Sequence, residues 1–184
     1  YLDMVMSGNL LTITSEVMYS SPYYTQTFAF IVEDHRKDEF KDIKTVLEAD
    51  SLRIGILDLP YYIKKLKDHL PEAEVVKLNS PREFFTDNVH NLDAMIFTAE
   101  AGSAWSMVYP NFSVSVPVDG TSKVPVCFGL ATGDVEFSNF INRWILLKTS
   151  DNTISRITDY WIFGKSKELK TPRWCVASDV LGWY

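Results

Sequence analysis

The sequence predicts an α/β fold of two lobes, joined by a chain that crosses between them twice. From residue 51 onward, short apolar runs alternate with amphipathic segments, which is typical of a sheet flanked by helices. Two extended, β-rich segments at 26–32 and 124–130 bracket this alternating region. The segments outside this bracket stand at opposite ends of the chain, and we expect them to complete one lobe together.

The strands are predicted from apolar runs and the helices from apolar spacing and capping residues. The predicted strands are 2–6, 26–32, 52–57, 74–78, 92–97, 112–116 and 124–130. Asp58 and Pro60 are expected to begin one helix, 99–108 forms another, and Asp134 caps the clearest one. That helix carries an apolar stripe of Phe137, Phe140, Ile141, Trp144 and Ile145. The charged stretch 33–41 is expected to leave the core for solvent, and Trp105, Trp144 and Trp161 are expected to pack.

The domain boundaries follow from this order of elements. Residues 1–33 are part of lobe 1 with the first hinge strand, 34–121 form a complete lobe 2, and 122–184 return to lobe 1. The chain opens like the middle of a domain, so we expect lobe 1 to be truncated at its N-terminus, with any targeting signal cut away. A sheet that lacks its first strands has an open edge, which predicts pairing into a homodimer.

Composition excludes several function classes. The 184 residues carry a net charge of −6 with a pI near 5.0, which disfavours a nucleic-acid partner. His35, His69 and His90 are far apart, so no metal site is expected, and no nucleotide-binding motif or other cofactor signature occurs. Cys127 and Cys175 are interpreted as two buried thiols.

The most site-like cluster is Glu100 with Ser103, just past the end of a predicted strand. Ligands of open α/β sheets collect at such strand ends. The alternative is that Glu100 only pairs with the dipole of its helix. Both interpretations stay open, and no nucleophile elbow supports a serine hydrolase.

Four features, taken in order, resemble a known family. They are a strand and loop at 3–8, a Ser/Pro/Tyr segment at 19–24, the strand 92–96 and a pair of helices over 134–161. Together they resemble the family 3 extracellular solute-binding proteins, which bind polar amino acids and related compounds. The resemblance implies a type 2 periplasmic-binding clamshell, with the ligand between the lobes and a periplasmic or extracytoplasmic location. A narrower likeness, at 99–105, 160–165 and 172–174, is to binding domains fused to cation:dicarboxylate symporters, which implies a membrane transporter as partner.

The resemblance implies a ligand site that departs from the family pattern. Ser7, Gly8 and Thr12 match groups that hold the ligand's amino group, whereas the arginine that clamps its carboxylate has no counterpart before Arg36. Asp58 stands in the place of an anion-binding loop, and Thr98 stands in register with the family's acidic residue. The predicted ligand-binding set is Ser7, Gly8, Thr12, Asp58, Thr98, Glu100 and Ser103. Carboxylates without a matched arginine favour a positively charged ligand over a dicarboxylate.

The predicted function is therefore a solute-binding domain for transport or sensing, and not an enzyme. Two alternatives remain at this stage. A degenerate clamshell could serve as a regulatory or protein-interaction module, or Glu100 could act as the cleft carboxylate of a dehydratase-like enzyme.

Overall fold

The computed structural model describes residues 3–10, 17–49, 51–86, 91–118, 123–162 and 179–182. These residues divide into two compact units. The first unit lies within Tyr1–Gln26 and Lys123–Ser178, and the second within Thr27–Ser122 and Asp179–Tyr184. The boundaries proposed from the sequence, at 33/34 and 121/122, stay a prediction about the lobes.

The first unit consists of an antiparallel sheet and two helices. Its strands are β1 (Met4–Leu10), β2 (Met18–Tyr19) and β8 (Lys123–Leu130), and both β1 and β2 pair with β8. The helices are α5 (Val135–Ser150) and α6 (Thr153–Trp161). Phe128 and Leu130 of β8 pack against Ile141 and Ile145 of α5 to form the core of this unit.

The loop expected at Ser7–Gly8 is instead part of β1. Between Val5 and Asn9, β1 advances four residues while its partner β8 advances only two, from Gly129 to Cys127. Such a bulge lets the backbone remain paired with extra residues in one strand. The prediction that the strand ends at residue 6 was therefore wrong, because β8 supplies a pairing partner that extends to Leu10.

The second unit is built on a mixed sheet. Its strands are β3 (Tyr24–Glu33, from Thr27 onward), β4 (Arg53–Leu57), β5 (Glu74–Leu78), β6 (Ala94–Thr98) and β7 (Phe112–Ser115). β4 runs parallel to β5 and β6, whereas β3 pairs antiparallel with both β6 and β7. The helices between the strands are α1 (Ile43–Glu48), α2 (Pro60–His69), α3 (Arg82–Thr86) and α4 (Ala99–Val108).

One core of this unit lies between the sheet and the helices α3 and α4. Ile31, Met95, Ala99 and Phe85 are among its buried members, and Leu181 near the C-terminus packs against it. α4 approaches β3 closely at Gly102, where a Cβ atom would lie 2.2 Å from Cδ1 of Ile31. Any residue larger than glycine must therefore displace either α4 or Ile31.

The charged stretch after β3 is folded against the sheet rather than released to solvent. It forms a 3-10 helix over Asp34–Phe40, followed by α1. Phe40 and Val46 are buried, and Phe40 packs with its ring centroid 5.3 Å from that of Phe30. The burial of Phe40 and Val46 holds this segment against the sheet. The charge pattern alone did not indicate this packing.

Several expected helix features are confirmed and others are corrected. The Asp134 carboxylate accepts a hydrogen bond from the backbone N–H of Phe137 at 2.8 Å, as expected of a cap. Asp58 does not cap α2, whose N-cap is Leu59 with no side-chain bond, although Pro60 does begin that helix.

The aromatic residues of the helices divide between core and surface. Trp105 stacks on Phe85 at 5.3 Å, as expected of a packing residue. Phe140 is 62% exposed and Trp144 is 39% exposed, so in the described part of the chain the expected α5 stripe is buried on one side only. Trp161 of α6 is 60% exposed, unlike Trp105. Cys127 is a buried free thiol, and Cys175 lies outside the described residues.

Candidate functional site

The candidate site of the second unit is the edge of its sheet at which β4, β5 and β6 end, here named the carboxyl edge. Because these three strands run in one direction, the residues that follow them are neighbours. Ile56 pairs with Ile96, and continuing this register by two residues brings Asp58 level with Thr98. Leu57 pairs with Leu78, which brings Asn79 level with Asp58 on the other side. Adjacent strands are about 4.8 Å apart, so Asn79, Asp58 and Thr98 form one row.

Asp58 is held by a lysine of the neighbouring strand. Its Oδ1 lies 2.8 Å from Nζ of Lys77, the residue before the last of β5. The side chains of Asp58 and Lys77 are 62% and 61% exposed, so both charges face solvent. The pair places opposite charges side by side at the carboxyl edge.

Thr98 ends β6 and caps α4. Its side chain is buried, and its Oγ1 accepts a hydrogen bond from the backbone N–H of Ala101 at 3.3 Å. This bond satisfies one of the unpaired donors of the first helical turn and fixes the position at which α4 leaves the sheet. Thr98 is therefore a buried residue that orients α4 at the carboxyl edge.

Glu100 lies in the first turn of α4 and contacts the strand on the far side of β6. Its two carboxylate oxygens lie 3.4 and 3.3 Å from the backbone nitrogen of Thr27, and they accept a hydrogen bond from its N–H. Thr27 precedes Phe28, which pairs with Thr98. The contact gives Glu100 a structural role, while a negative charge in the first turn of a helix is also favourable by itself.

Ser103, also predicted to bind the ligand, lies inside the second unit. It is fully buried, and its hydroxyl donates a hydrogen bond of 2.6 Å to the carbonyl oxygen of Ala99. The only donor of this side chain is thus used within α4.

The remaining predicted site residues belong to the first unit. Ser7 and Gly8 lie on β1, at the bulge. Thr12 falls outside the described residues. The structure therefore brings together Asp58, Thr98 and Glu100 at one edge of the second unit, and the roles of Ser7, Gly8 and Thr12 stay predictions.

Three groups at the carboxyl edge were not singled out from the sequence, namely Asn79, the ammonium of Lys77 and the backbone N–H of Thr27. Lys77 could have been noticed because it is a polar residue near the end of a predicted parallel strand. Asp58, Glu100 and Lys77 together carry one net negative charge. The Glu83 carboxylate, which accepts a hydrogen bond from the backbone N–H of Asn79 at 3.3 Å, adds a second negative charge beside this edge. Within the described residues, no group of three or more His, Cys, Asp or Glu side chains could hold a metal ion. None of the helices in the described ranges is long and apolar enough to cross a membrane.

Comparison by sequence finds no protein-family model and no curated protein that matches this chain. Solved structures do match. The substrate-binding protein AbpA of an amino acid ABC transporter from Streptococcus pneumoniae, with bound L-arginine, is 16% identical. The match covers 86% of this chain and 67% of that one, with a TM-score of 0.69.

Two other solved structures match over a similar part of the chain. The GluR0 ligand-binding core in complex with L-glutamate is 16% identical, covering 87% of this chain and 72% of that one, with a TM-score of 0.69. An ancestral amino-acid-binding protein, described as a precursor of cyclohexadienyl dehydratase, is 23% identical. It covers 86% of this chain and 68% of that one, with a TM-score of 0.66. Together with the antiparallel sheet of the first unit and the mixed sheet of the second, these matches show that the chain has the α/β fold of the two-lobed periplasmic binding proteins.

Proposed function

We propose that this chain is a solute-binding domain that captures a small polar solute, an amino acid or a related compound, for transport or sensing. The observation that carries the proposal is that Asp58, Thr98 and Glu100 all lie at the carboxyl edge of the sheet, at or just after the ends of β4 and β6. In open α/β sheets, ligands bind outside the carboxyl ends of the strands. The similar structures contain arginine or glutamate, which supports a solute of this class.

The proposed binding chemistry is recognition of an ammonium group by carboxylates. Asp58 and Glu100 carry the negative charges, and a charge-assisted hydrogen bond is about twice as strong as a neutral one. Ser7, Gly8 and Thr12 are also proposed as ligand-binding residues, and the family resemblance alone supports them. Ser103 is left out of the proposed site, since its hydroxyl donates to Ala99.

We also propose an extracytoplasmic location, with a membrane transporter or receptor as the partner that receives the solute. Fusion to a cation:dicarboxylate symporter is the narrower form of this proposal. Substrate binding for an amino acid ABC transporter is the role named for the similar protein AbpA, which supports a transporter as partner.

A ligand screen tests the proposal directly. Thermal shift followed by calorimetry is run with amino acids, dicarboxylates and polyamines against the wild-type protein and Asp58→Asn. We expect at least one amine-bearing compound to raise the melting temperature, because a ligand that binds only the folded state stabilises it by mass action. We expect Asp58→Asn to bind that compound about tenfold or more weakly. If succinate alone binds tightly, or if no compound binds, the proposal is contradicted.

A clamshell without a solute is the second candidate, and one observation favours it. Both oxygens of Glu100 contact the backbone N–H of Thr27, so this carboxylate has a structural role that does not depend on a ligand. Such a domain would show no thermal shift with any small compound.

Incubating each compound that does bind and analysing the products by chromatography separates binding from dehydratase-like turnover.

A further inference from the structure

The ion pair between Asp58 and Lys77 is a feature of the carboxyl edge that the proposed function does not use. Asp58 follows β4 and Lys77 lies on β5, so parallel pairing holds the two side chains next to each other. The ion pairs of Arg36 and Arg53 are elsewhere. Arg53 begins β4 and pairs with Glu74 at the start of β5, and Arg36 pairs with Asp93, just before β6. Among these three cations, Lys77 alone stands where a ligand of the proposed site would arrive.

The pair is easily opened. Both side chains are more than half exposed, and exposed ion pairs contribute about 0 to 1 kcal/mol to stability. Lysine also carries its charge on a flexible stem with several rotatable bonds, so Nζ can turn to another acceptor without any movement of the backbone. An incoming ligand therefore loses little when it replaces either partner.

The pair also changes which ligand the edge favours. Asp58 and Glu100 alone would select a cation of any kind, a polyamine as readily as an amino acid. With Lys77 in contact with Asp58, the edge offers a negative and a positive group 2.8 Å apart. A molecule that carries an ammonium and a carboxylate on the same carbon atom can satisfy both groups, whereas a simple amine satisfies only one.

We infer that Lys77 anchors the carboxylate of the amino-acid ligand, whose ammonium and carboxylate insert between Asp58 and Lys77. The inference rests on the proposed function and assigns its carboxylate recognition to one residue. In the empty protein the two side chains neutralise each other. In the complex, Lys77 donates to the carboxylate of the amino acid and Asp58 accepts from its ammonium. Lys77 thereby takes over the carboxylate recognition for which the sequence has no matching arginine.

Matched pairs of ligands test this assignment. L-Arginine is compared with agmatine, and L-glutamate with 4-aminobutyrate, since each second compound lacks only the α-carboxylate of the first. Calorimetry measures all four against the wild-type protein, Lys77→Met, Lys77→Arg and Lys44→Met. Lys44 is exposed on α1, so Lys44→Met removes the same charge from elsewhere on the second unit.

We expect the wild-type protein to prefer one amino acid over its decarboxylated partner by about tenfold or more, the order of one hydrogen bond to a charged group. Lys77→Met abolishes this preference by weakening the amino acid alone, because Asp58 remains available to the amine. Lys77→Arg keeps the preference, and Lys44→Met leaves it unchanged. If the preference survives in Lys77→Met, Lys77 is only a surface ion-pair partner and the inference is wrong. If none of the four compounds binds the wild-type protein, amino-acid binding itself fails, and the inference fails with it.

Discussion

Replacing Glu100 with glutamine separates its two roles, as a structural residue and as a ligand-binding residue. The substitution removes the negative charge but keeps a carbonyl oxygen in nearly the same place. The contact with Thr27 is long, at 3.3 to 3.4 Å, and both carboxylate oxygens share a single N–H donor. One such bond contributes about 0.5 to 1 kcal/mol, and the amide oxygen preserves part of it. The loss of charge in the first helical turn adds about 0.3 to 1 kcal/mol.

We therefore expect Glu100→Gln to lower the free energy of unfolding by about 1 kcal/mol, and by no more than about 2 kcal/mol, the sum of the two upper values. The effect on ligand binding should be larger, since a hydrogen bond between an ammonium and a carboxylate is worth about 1.5 to 3 kcal/mol, or roughly 10- to 150-fold in affinity. Urea denaturation measures the first quantity and calorimetry with the best compound of the screen measures the second.

The matched control is Glu74→Gln. Glu74 begins β5, at the opposite edge of the same sheet, where it pairs with Arg53. This variant removes the same charge from the same unit and should leave the affinity unchanged. If Glu100→Gln also leaves the affinity of every ligand within about twofold, a difference near 0.4 kcal/mol, then Glu100 serves only α4 and β3.

Three further predictions concern stability, charge and assembly. Asp93 accepts hydrogen bonds of 2.7 Å from both Arg36 and the backbone N–H of Arg53, so Asp93→Ala should cost about 2 to 4 kcal/mol in urea denaturation. A cost below about 1 kcal/mol would contradict this reading of the contacts. The pKa of Asp151 is lowered from 3.8 to about 2 by hydrogen bonds from Thr153 and the Lys148 ammonium. Its contribution to stability is therefore present above pH 3.8 and is lost as the pH falls toward 2. A carboxyl chemical shift that titrates near the ordinary value would refute this. Finally, β1 lies at an edge among the described strands of the first unit's sheet, so light scattering should detect a dimer, and a monomer at high concentration would count against pairing there.

The elements with clear periodicity were predicted well from the sequence. The bounds of β5 and α4 agree with the prediction, because each is a short apolar or amphipathic run between turn residues. The 3-10 helix at Asp34–Phe40 and α1 were missed, since their folding depends on Phe40 meeting Phe30 rather than on a local pattern. The extension of β1 through Gly8 was missed for a similar reason, as it depends on β8, more than a hundred residues away.

The candidate site was predicted in two ways. Glu100 was identified because it follows the end of a predicted strand, whereas Asp58 and Thr98 were identified from the family resemblance, and all three stay predicted ligand-binding residues. Their partners could not be identified in the same way. Lys77 reaches Asp58 through the pairing of β4 with β5, and Thr27 reaches Glu100 through the pairing of β3 with β6. Both contacts depend on strand order, which the sequence pattern leaves open.

Gly102 has a consequence for how mutational data on this protein should be interpreted. A Cβ atom at this position would lie 2.2 Å from Ile31, where ordinary contacts are about 3.5 to 4 Å. Substitution would push α4 away from β3 unless Ile31 moves, and the first turn of α4 carries both the Thr98 cap and Glu100. A selection for ligand binding would then score Gly102 as a binding position, although it lies inside the core. The position of the Glu100 carboxylate thus depends on Gly102, a residue without a side chain that could contact a solute.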